Sequence, residues 1–389
     1  MFYRLPPVGN AISVDVSAED LLDLNRLWSP YRGFYFNSGA SALAAALLAM
    51  VRIKGVAAPE VILPAYACPE VVSAVLYAGA KPVLVDLDPH STYMSLTALT
   101  AILTDNTVAV IAIHLFGIPE RLPQIHALLK PHAIFLVEDS AQAFPEQGTP
   151  LHPLSDAVIF SFGRGKPVSL LGGGVAWVKE PSLMDTLTVI HAAAVAPTGS
   201  ARVTRAKINL YNQLINPRCY WLPDTLPFLK LGTTLFRPLA TLASMDSYRL
   251  TLLGGNIHRF WRRSCDVQQQ LLERLAGEGI LNNIAGLTAT DPLPRLLRYP
   301  LLTTTPALRE RLYQRLHKQG MGVSKLYPAP LPQIAGLQRY FAGGDTYPNA
   351  ASLAACLLTL PVHEGVSDSD VALMAKIVME ESAESASGA

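Results

Sequence analysis

The stretch AVIFSFGRGKPVSLLGGGVAWV, Ala157 to Val178, sets two uniformly apolar runs on either side of a glycine-rich turn that carries a lysine, Lys166. Apolar runs of this kind read as buried strands, and an ammonium beside buried strands is costly unless it is paired or chemically used. Lys166 is therefore either a surface turn residue or a reactive amine.

Working outward, the same rhythm recurs upstream. EVILP (Glu60–Pro64), KPVLVDL (Lys81–Leu87), VAVIAIHL (Val108–Leu115) and IFLVEDS (Ile134–Ser140) are apolar runs. They are separated by CPEVVSAVLYAG (Cys68–Gly79), a polar stretch, and ERLPQIHALLKPH (Glu120–His132), of which the first and last are helix-compatible. An alanine- and leucine-rich segment, SGASALAAALLAMVRIKG (Ser38–Gly55), predicts a helix that begins near Ser41 and ends at a glycine. Apolar strands alternating with helices predict an α/β fold, a doubly wound, mainly parallel sheet covered on both faces. Ligands of such sheets bind at the carboxyl ends of strands, where Asp139 follows IFLVE and Lys166 follows VIFSF.

The rhythm breaks between residues 187 and 244, rich in proline and aromatics with six Lys/Arg against one acid, Asp224. This segment reads as an irregular insertion, serving either as a subunit interface and core cover or as a contact for a membrane surface or lipid-linked substrate. Met245–Gly277 predicts one long helix. The chain divides into a large unit over 1–260, a smaller α+β unit over 261–380 and a frayed polar tail over 381–389.

Composition narrows the function. The chain has 389 residues, half of them hydrophobic, and a formal net charge of +1, so it is globular and carries no electrostatic footprint for nucleic acid. Its four cysteines are scattered without a CxxC pair, which argues against a disulfide framework or cysteine zinc site and suits a cytoplasmic setting. The first residues lack the apolar core of a signal peptide, and no apolar run reaches the ~18 residues of a membrane span. No GxGxxG, GxxxxGK[ST] or HExxH spacing occurs, so dinucleotide, nucleoside triphosphate and zinc chemistry have no support and no metal site is expected.

A lysine and an aspartate at neighbouring strand ends, with a glycine-serine turn opening a helix, suit pyridoxal 5'-phosphate. The amine can form a Schiff base, the acid can hold the ring nitrogen protonated, and the backbone amides of Gly39, Ala40 and Ser41 can take the phosphate. Each residue also has a plainer reading: Lys166 as a turn lysine, Asp139 as a helix cap, His114 as a satisfied core histidine and Glu138 as structural or solvated.

The chain also resembles a family. NSGASAL (Asn37–Leu43), Val61–Pro89, VIAIHLFGIP (Val110–Pro119), LVEDSAQAF (Leu136–Phe144), FSFGRGKP with its following GGG, and LTLPVHEGVSDSDV (Leu358–Val371) resemble, in order and spacing, the fold-type I sugar aminotransferases of the DegT/StrS kind. The resemblance implies that Lys166 is the Schiff-base lysine, Asp139 the partner of the ring nitrogen, Gln142 a contact to the ring hydroxyl and Ser161 a phosphate ligand. It places the residue covering the ring near Tyr66 and Cys68, the latter matching better. Arg249 matches a residue that reaches the neighbouring subunit's cofactor phosphate, which implies a homodimer.

By the same resemblance, glutamate or glutamine donates an amino group that is passed to a keto-sugar, often nucleotide-linked, by ping-pong transamination. The chain departs from the pattern at Ala40, at Ser247, and at Leu326 and Pro332, the last two standing where the family has histidines near the substrate. Cofactor binding tolerates these changes, whereas the acceptor stays open. Other pyridoxal phosphate chemistry (elimination, decarboxylation or bond formation on a lipid-linked or acyl substrate) and a non-catalytic sensor remain as alternatives.

Overall fold

The computed structural model describes residues 3–15, 22–197, 199–226, 234–275, 281–282, 294–341 and 344–387. A seven-stranded sheet is built from β1 (Arg32–Phe36), β2 (Glu60–Pro64), β3 (Lys81–Val85), β4 (Thr107–Ile113), β5 (Phe135–Asp139), β6 (Ala157–Ser161) and β7 (Gly174–Val178), in the order β1-β7-β6-β5-β4-β2-β3. The block from β3 to β6 is parallel, while β7 runs antiparallel to both β6 and β1. The reason lies in the connections. A parallel crossover needs a helix-length link, and Phe162–Gly173 contains no helix but turns back through Gly165, Leu171, Gly172 and Gly173, all at positive φ.

Both faces of the sheet are covered. Val137, Ile159 and Ala176 pack with helices α1 (Gly39–Lys54) and α2 (Pro69–Tyr77), whereas Val158, Phe160 and Trp177 on the other face meet Ile257 and Phe260. Further along that second face, Val110 and Leu136 pack with α3 (Leu96–Ile102), which lies in the stretch read as polar, and with α4 (Leu122–Leu129). All seven residues of β4 are buried, which is why the central strands carry no polar alternation.

Helix α1 starts at Gly39, two residues before the expected Ser41, because the Ser38 hydroxyl accepts the Ser41 amide at 3.1 Å and caps it. It ends at Gly55, whose φ of 60° suits a left-handed cap. The segment from 187 to 244 is more regular than its composition implies. It holds the end of α5 (Pro181–Ala192), α6 (Ala201–Leu214) and a single turn at Trp221–Asp224, and near its end Ala243 bridges to Val195. Lys230 lies outside the described residues.

The long helix expected over Met245–Gly277 is two helices, α7 (Ser247–Arg262) and α8 (Asp266–Leu275). The break falls where the Ser264 hydroxyl accepts the Asp266 amide at 2.9 Å, a local bond that competes with continuing the helix. Next come β8 (Leu281–Asn282), β9 (Arg298–Thr303), α9 (Pro306–Lys318), α10 (Pro348–Cys356), β10 (Leu357–Pro361) and α11 (Asp368–Ser387), with an antiparallel sheet in the order β10-β9-β8. The expected frayed tail from 381 is instead helical to Ser387, because Glu381 accepts from Arg311 and Arg315, each at 3.2 Å. The chain's first residues also dock here: His363 Nε2 meets the Pro6 carbonyl at 2.8 Å and Tyr3 donates to Asp370 at 2.8 Å. No helix among the described residues is long and apolar enough to cross a membrane.

Candidate active site

The carboxyl ends of β5 and β6 and the first turn of α1 converge on a cavity. Its lining includes Gly39, Ala40, Cys68, Asp139, Ser161 and Lys166. Residues separated by more than a hundred positions thus share one wall, and the fold places them there because parallel strands present their carboxyl ends on the same edge.

The α1 terminus is shaped for an anion. The amides of Gly39 and Ala40 lie in the first turn, where the helix supplies no acceptor for them, and the helix dipole points its positive end outward. Ser41 is different. Its amide is taken by Ser38, its hydroxyl donates to Asn37 Oδ1 at 2.7 Å, and its side chain is fully buried, so it braces the turn from beneath. Gly39 has no room for a side chain, since a Cβ there would meet Ser161 Cβ at 2.6 Å and Oγ at 2.8 Å. The Ser161 hydroxyl, which accepts the Gly163 amide at 3.4 Å, is thereby held at the helix start.

Asp139 is the last residue of β5 and is 6% exposed. It accepts the Ala141 amide at 2.9 Å, and among the described residues no cation lies within ion-pair distance. Burial pushes its carboxyl above the ordinary range, and the Ala141 amide, Lys166 and His114 only partly offset this. A buried carboxylate in this state is suited to a cationic group entering the cavity. Lys166 projects from the β6–β7 turn, its amide bonded to the Gly163 carbonyl at 3.3 Å.

Cys68 precedes α2 and faces the cavity without capping the helix. Burial first and Glu70 second push its thiol up to about 11, so it is neutral at physiological pH and offers a small apolar surface. Tyr66 does not line the cavity; it is 1% exposed, packs edge-on against Tyr327 at 5.4 Å between ring centres, and donates to the Tyr327 carbonyl at 3.2 Å. Gln142 stands behind the wall. Its Oε1 accepts the Phe116 amide at 3.2 Å and its Nε2 donates to the Tyr327 hydroxyl at 3.4 Å. Arg249 is held away from the cavity lining by Asp246 and by the Leu170 carbonyl, to which its Nε donates at 3.0 Å.

Glu138, one residue from Asp139, is neither solvated nor in the cavity. It is 7% exposed and bonded to Ser155 at 2.7 Å, Ser140 at 2.9 Å and His114 Nε2 at 3.1 Å, partners that hold it ionised despite burial. His114 Nδ1 accepts the Glu120 amide at 2.9 Å, so both of its ring nitrogens are satisfied inside the core. Tyr327 and, behind it, Arg298 were not singled out by the sequence. Only the tertiary packing brings them to Gln142 and Tyr66, although Tyr327 directly follows Leu326, one of the departures noted above.

Compared with known proteins, residues 33–225 match the DegT/DnrJ/EryC1/StrS aminotransferase family. The chain belongs to that family. Among curated DegT-family relatives, UDP-N-acetyl-3-dehydro-alpha-D-glucosamine 3-aminotransferase of Acidithiobacillus ferrooxidans is 37% identical over 35% of this chain and 37% of its own length. GDP-perosamine synthase of Escherichia coli is 33% identical over 38% of this chain and 41% of its own length. The matched stretches thus span well under half of these relatives. The fold match is broader: the crystal structure of the sugar aminotransferase CalS13 from Micromonospora echinospora superposes with a TM-score of 0.72 at 19% identity, covering 97% of this chain and 99% of that one. The fold is the fold-type I α/β architecture of this DegT/DnrJ/EryC1/StrS group.

Proposed function

We propose that this DegT-family protein is a pyridoxal 5'-phosphate-dependent aminotransferase that takes an amino group from glutamate or glutamine and delivers it to a keto-sugar. The observation that carries the reading is the sharing of one cavity by Lys166, the unpaired buried Asp139 and the first turn of α1. Family membership and the sugar aminotransferases named above support the same class of reaction. The nucleotide-linked acceptors in those relatives' names make a nucleotide-linked keto-sugar the substrate class to try first.

The residues fit the cofactor. The Gly39 and Ala40 amides and the Ser161 hydroxyl would hold its phosphate, and Gly39 is the residue type the close approach to Ser161 demands. Asp139 would pair with its ring nitrogen, Gln142 would lie toward its ring hydroxyl, and Cys68 would cover a ring face, with Tyr66 fixing the neighbouring Tyr327. When bound, pyridoxal phosphate supplies an aldehyde that takes up amines and a ring that accepts the electrons released at an amino-bearing carbon.

The chain's own groups do the rest. The Asp139 carboxylate, kept from water, keeps the ring nitrogen's proton in place. Lys166 Nζ would hold the cofactor covalently at rest. The same nitrogen, when free, would take the proton from the donor's α-carbon and return one to the acceptor's carbon. The apolar walls of Ile159 and Leu43 exclude water from this exchange.

The reading includes a homodimer in which Arg249 serves the neighbouring copy's cofactor phosphate. Exposed apolar residues on α5, α6 and the turns beside them, with Val189 65%, Val203 52% and Leu210 55% exposed, favour an interface role for the 187–244 segment over a lipid contact.

Hydride reduction followed by peptide mapping tests the assignment: the cofactor should be fixed on Lys166, and a reduced adduct on any other lysine would overturn it.

A further inference from the structure

Glu138 is a buried charge beside the site that the proposed reaction leaves unused. Alternation along β5 turns its side chain to the face of Leu136, opposite the face of Val137 and Asp139. Three donors meet it there: the Ser140 hydroxyl at 2.9 Å and His114 Nε2 at 3.1 Å on Oε1, and the Ser155 hydroxyl at 2.7 Å on Oε2.

Two of these donors lead back to Asp139, and the third anchors the cluster. The His114 backbone amide donates to the Asp139 carbonyl at 3.1 Å, so the ring and backbone of one histidine hold consecutive residues of β5. Ser140 follows Asp139, and the next amide, that of Ala141, holds the Asp139 carboxylate at 2.9 Å. Ser155 is fully buried, and its carbonyl accepts the Tyr31 hydroxyl at 3.0 Å. Asp139 therefore lies between two residues bonded to the Glu138 carboxylate and cannot shift without straining one of those bonds.

The charge on Glu138 has no cation to cancel it. His114 Nδ1 accepts the Glu120 amide at 2.9 Å, so the ring's single proton sits on Nε2 and the histidine is neutral. Among the described residues no lysine or arginine nitrogen lies within 4.0 Å of the carboxylate. Glu120, beyond His114, adds a second acidic group, with Arg121 Nε 3.6 Å from it. The segment that carries Ser155 also brings His152, which burial holds below its ordinary pKa, and Asp156, which accepts the Leu136 amide at 2.7 Å. Burial keeps Tyr31 a neutral phenol, and Lys166 reaches this field only from across the cavity. In a dry interior such a charge acts over several ångströms with little screening.

We propose that Glu138 is a positioning residue for Asp139: bonded to His114 and Ser140, it sets the aspartate against the cofactor's ring nitrogen, and its uncancelled charge helps keep the proton there. This rests on the pyridoxal phosphate reading and adds to it a second carboxylate that acts through the first. The sign follows from the charge. A nearby anion favours the protonated, cationic ring nitrogen, so removing that anion lets the proton leave at a lower pH.

The test is nitrogen NMR of the holoenzyme loaded with pyridoxal phosphate isotopically labelled at the ring nitrogen, titrated from about pH 6 to about pH 9 in wild type, Glu138→Gln and Glu138→Asp. The visible cofactor band and thermal unfolding report that each variant is loaded and folded. Glutamine keeps the contacts, since its oxygen can take His114 and Ser140 while its amide donates to the Ser155 hydroxyl; aspartate keeps the charge but draws it back from all three. Glu138→Gln should lose the ring proton at a pH about one unit below the wild type, with Glu138→Asp closer to the wild type. Equal protonation of wild type and Glu138→Gln throughout the range would overturn the proposal. So would a larger loss in Glu138→Asp than in Glu138→Gln, which is what a purely structural role predicts. Should Glu138→Gln not fold, Glu138→Asp decides alone: a loss of about one unit with the charge retained overturns the proposal, and a smaller one supports it. A wild type that takes up no pyridoxal phosphate would defeat the cofactor reading itself; one that binds it with a ring nitrogen indifferent to Glu138 would defeat this inference alone.

Discussion

Gly39 and Ser161 stand so close that a methyl group on the glycine would lie 2.6 Å from the serine Cβ. This contact joins the start of α1 to the end of β6, and it sets the distance between the helix amides and the serine hydroxyl that would share one phosphate. Gly39→Ala should force these elements apart, at a cost of about 1–3 kcal/mol in stability. Cofactor retention on dialysis should fall with it, and a variant that keeps wild-type stability and cofactor content would show that the contact is not structural.

Asp139→Asn keeps an oxygen to accept the Ala141 amide, which it now takes at 2.9 Å, but removes the charge. Turnover should fall by roughly 10²–10³-fold, the scale seen when a preorganised electrostatic partner is lost, while the fold survives. Steady-state kinetics with bound cofactor quantified separately would check this. Unchanged turnover would remove Asp139 from its role.

The clamp between the chain's first residues and the small sheet predicts a pH dependence of stability. Burial holds the His363 pKa down to about 4, with Nε2 at the Pro6 carbonyl and Nδ1 accepting the Gly365 amide. The unfolded state takes a proton near pH 6.5 while the folded state refuses it until about 4, so stability is full above pH 6.5 and falls as pH drops toward 4. The loss attributable to this one histidine should approach about 3 kcal/mol. Denaturant midpoints of wild type and His363→Gln between pH 7 and 4.5 should converge as pH falls, and parallel curves would exclude the histidine.

Much of this was legible in the sequence because the informative residues obey local rules. Uninterrupted apolar runs gave β2 to β7, and Asp139 and Lys166 were found because each closely follows such a run. Ser38 caps α1 as the NSGASAL stretch allows, although the helix starts earlier than read because the cap spends itself on Ser41. The antiparallel turn of β7 needed the left-handed residues of 162–173, which sequence spacing alone does not order. The helical tail depends on Arg311 and Arg315 reaching Glu380 and Glu381 across the small unit, and the break in Met245–Gly277 depends on one serine hydroxyl. Tyr327 acquires meaning only through partners far away in the chain.

Tyr327→Phe isolates one such partner. Only the hydroxyl that receives Gln142 Nε2 at 3.4 Å is lost, so stability should change by no more than about 1 kcal/mol. If Gln142 lies against the cofactor ring as proposed, freeing its amide should shift the absorbance of the bound cofactor, measured on the resting holoenzyme. A spectrum and stability identical to wild type would leave the tyrosine as packing only.

The central claim is that Lys166 and Asp139 work a bound pyridoxal phosphate as an amino carrier. The most direct measurement is the near-ultraviolet and visible absorption of the purified protein before and after glutamate, in wild type and Lys166→Ala. The account predicts a long-wavelength band in the wild type that glutamate converts to a shorter-wavelength one, and no such resting band in Lys166→Ala. A wild-type band indifferent to glutamate and glutamine, or the same lysine-type band in Lys166→Ala, would contradict it.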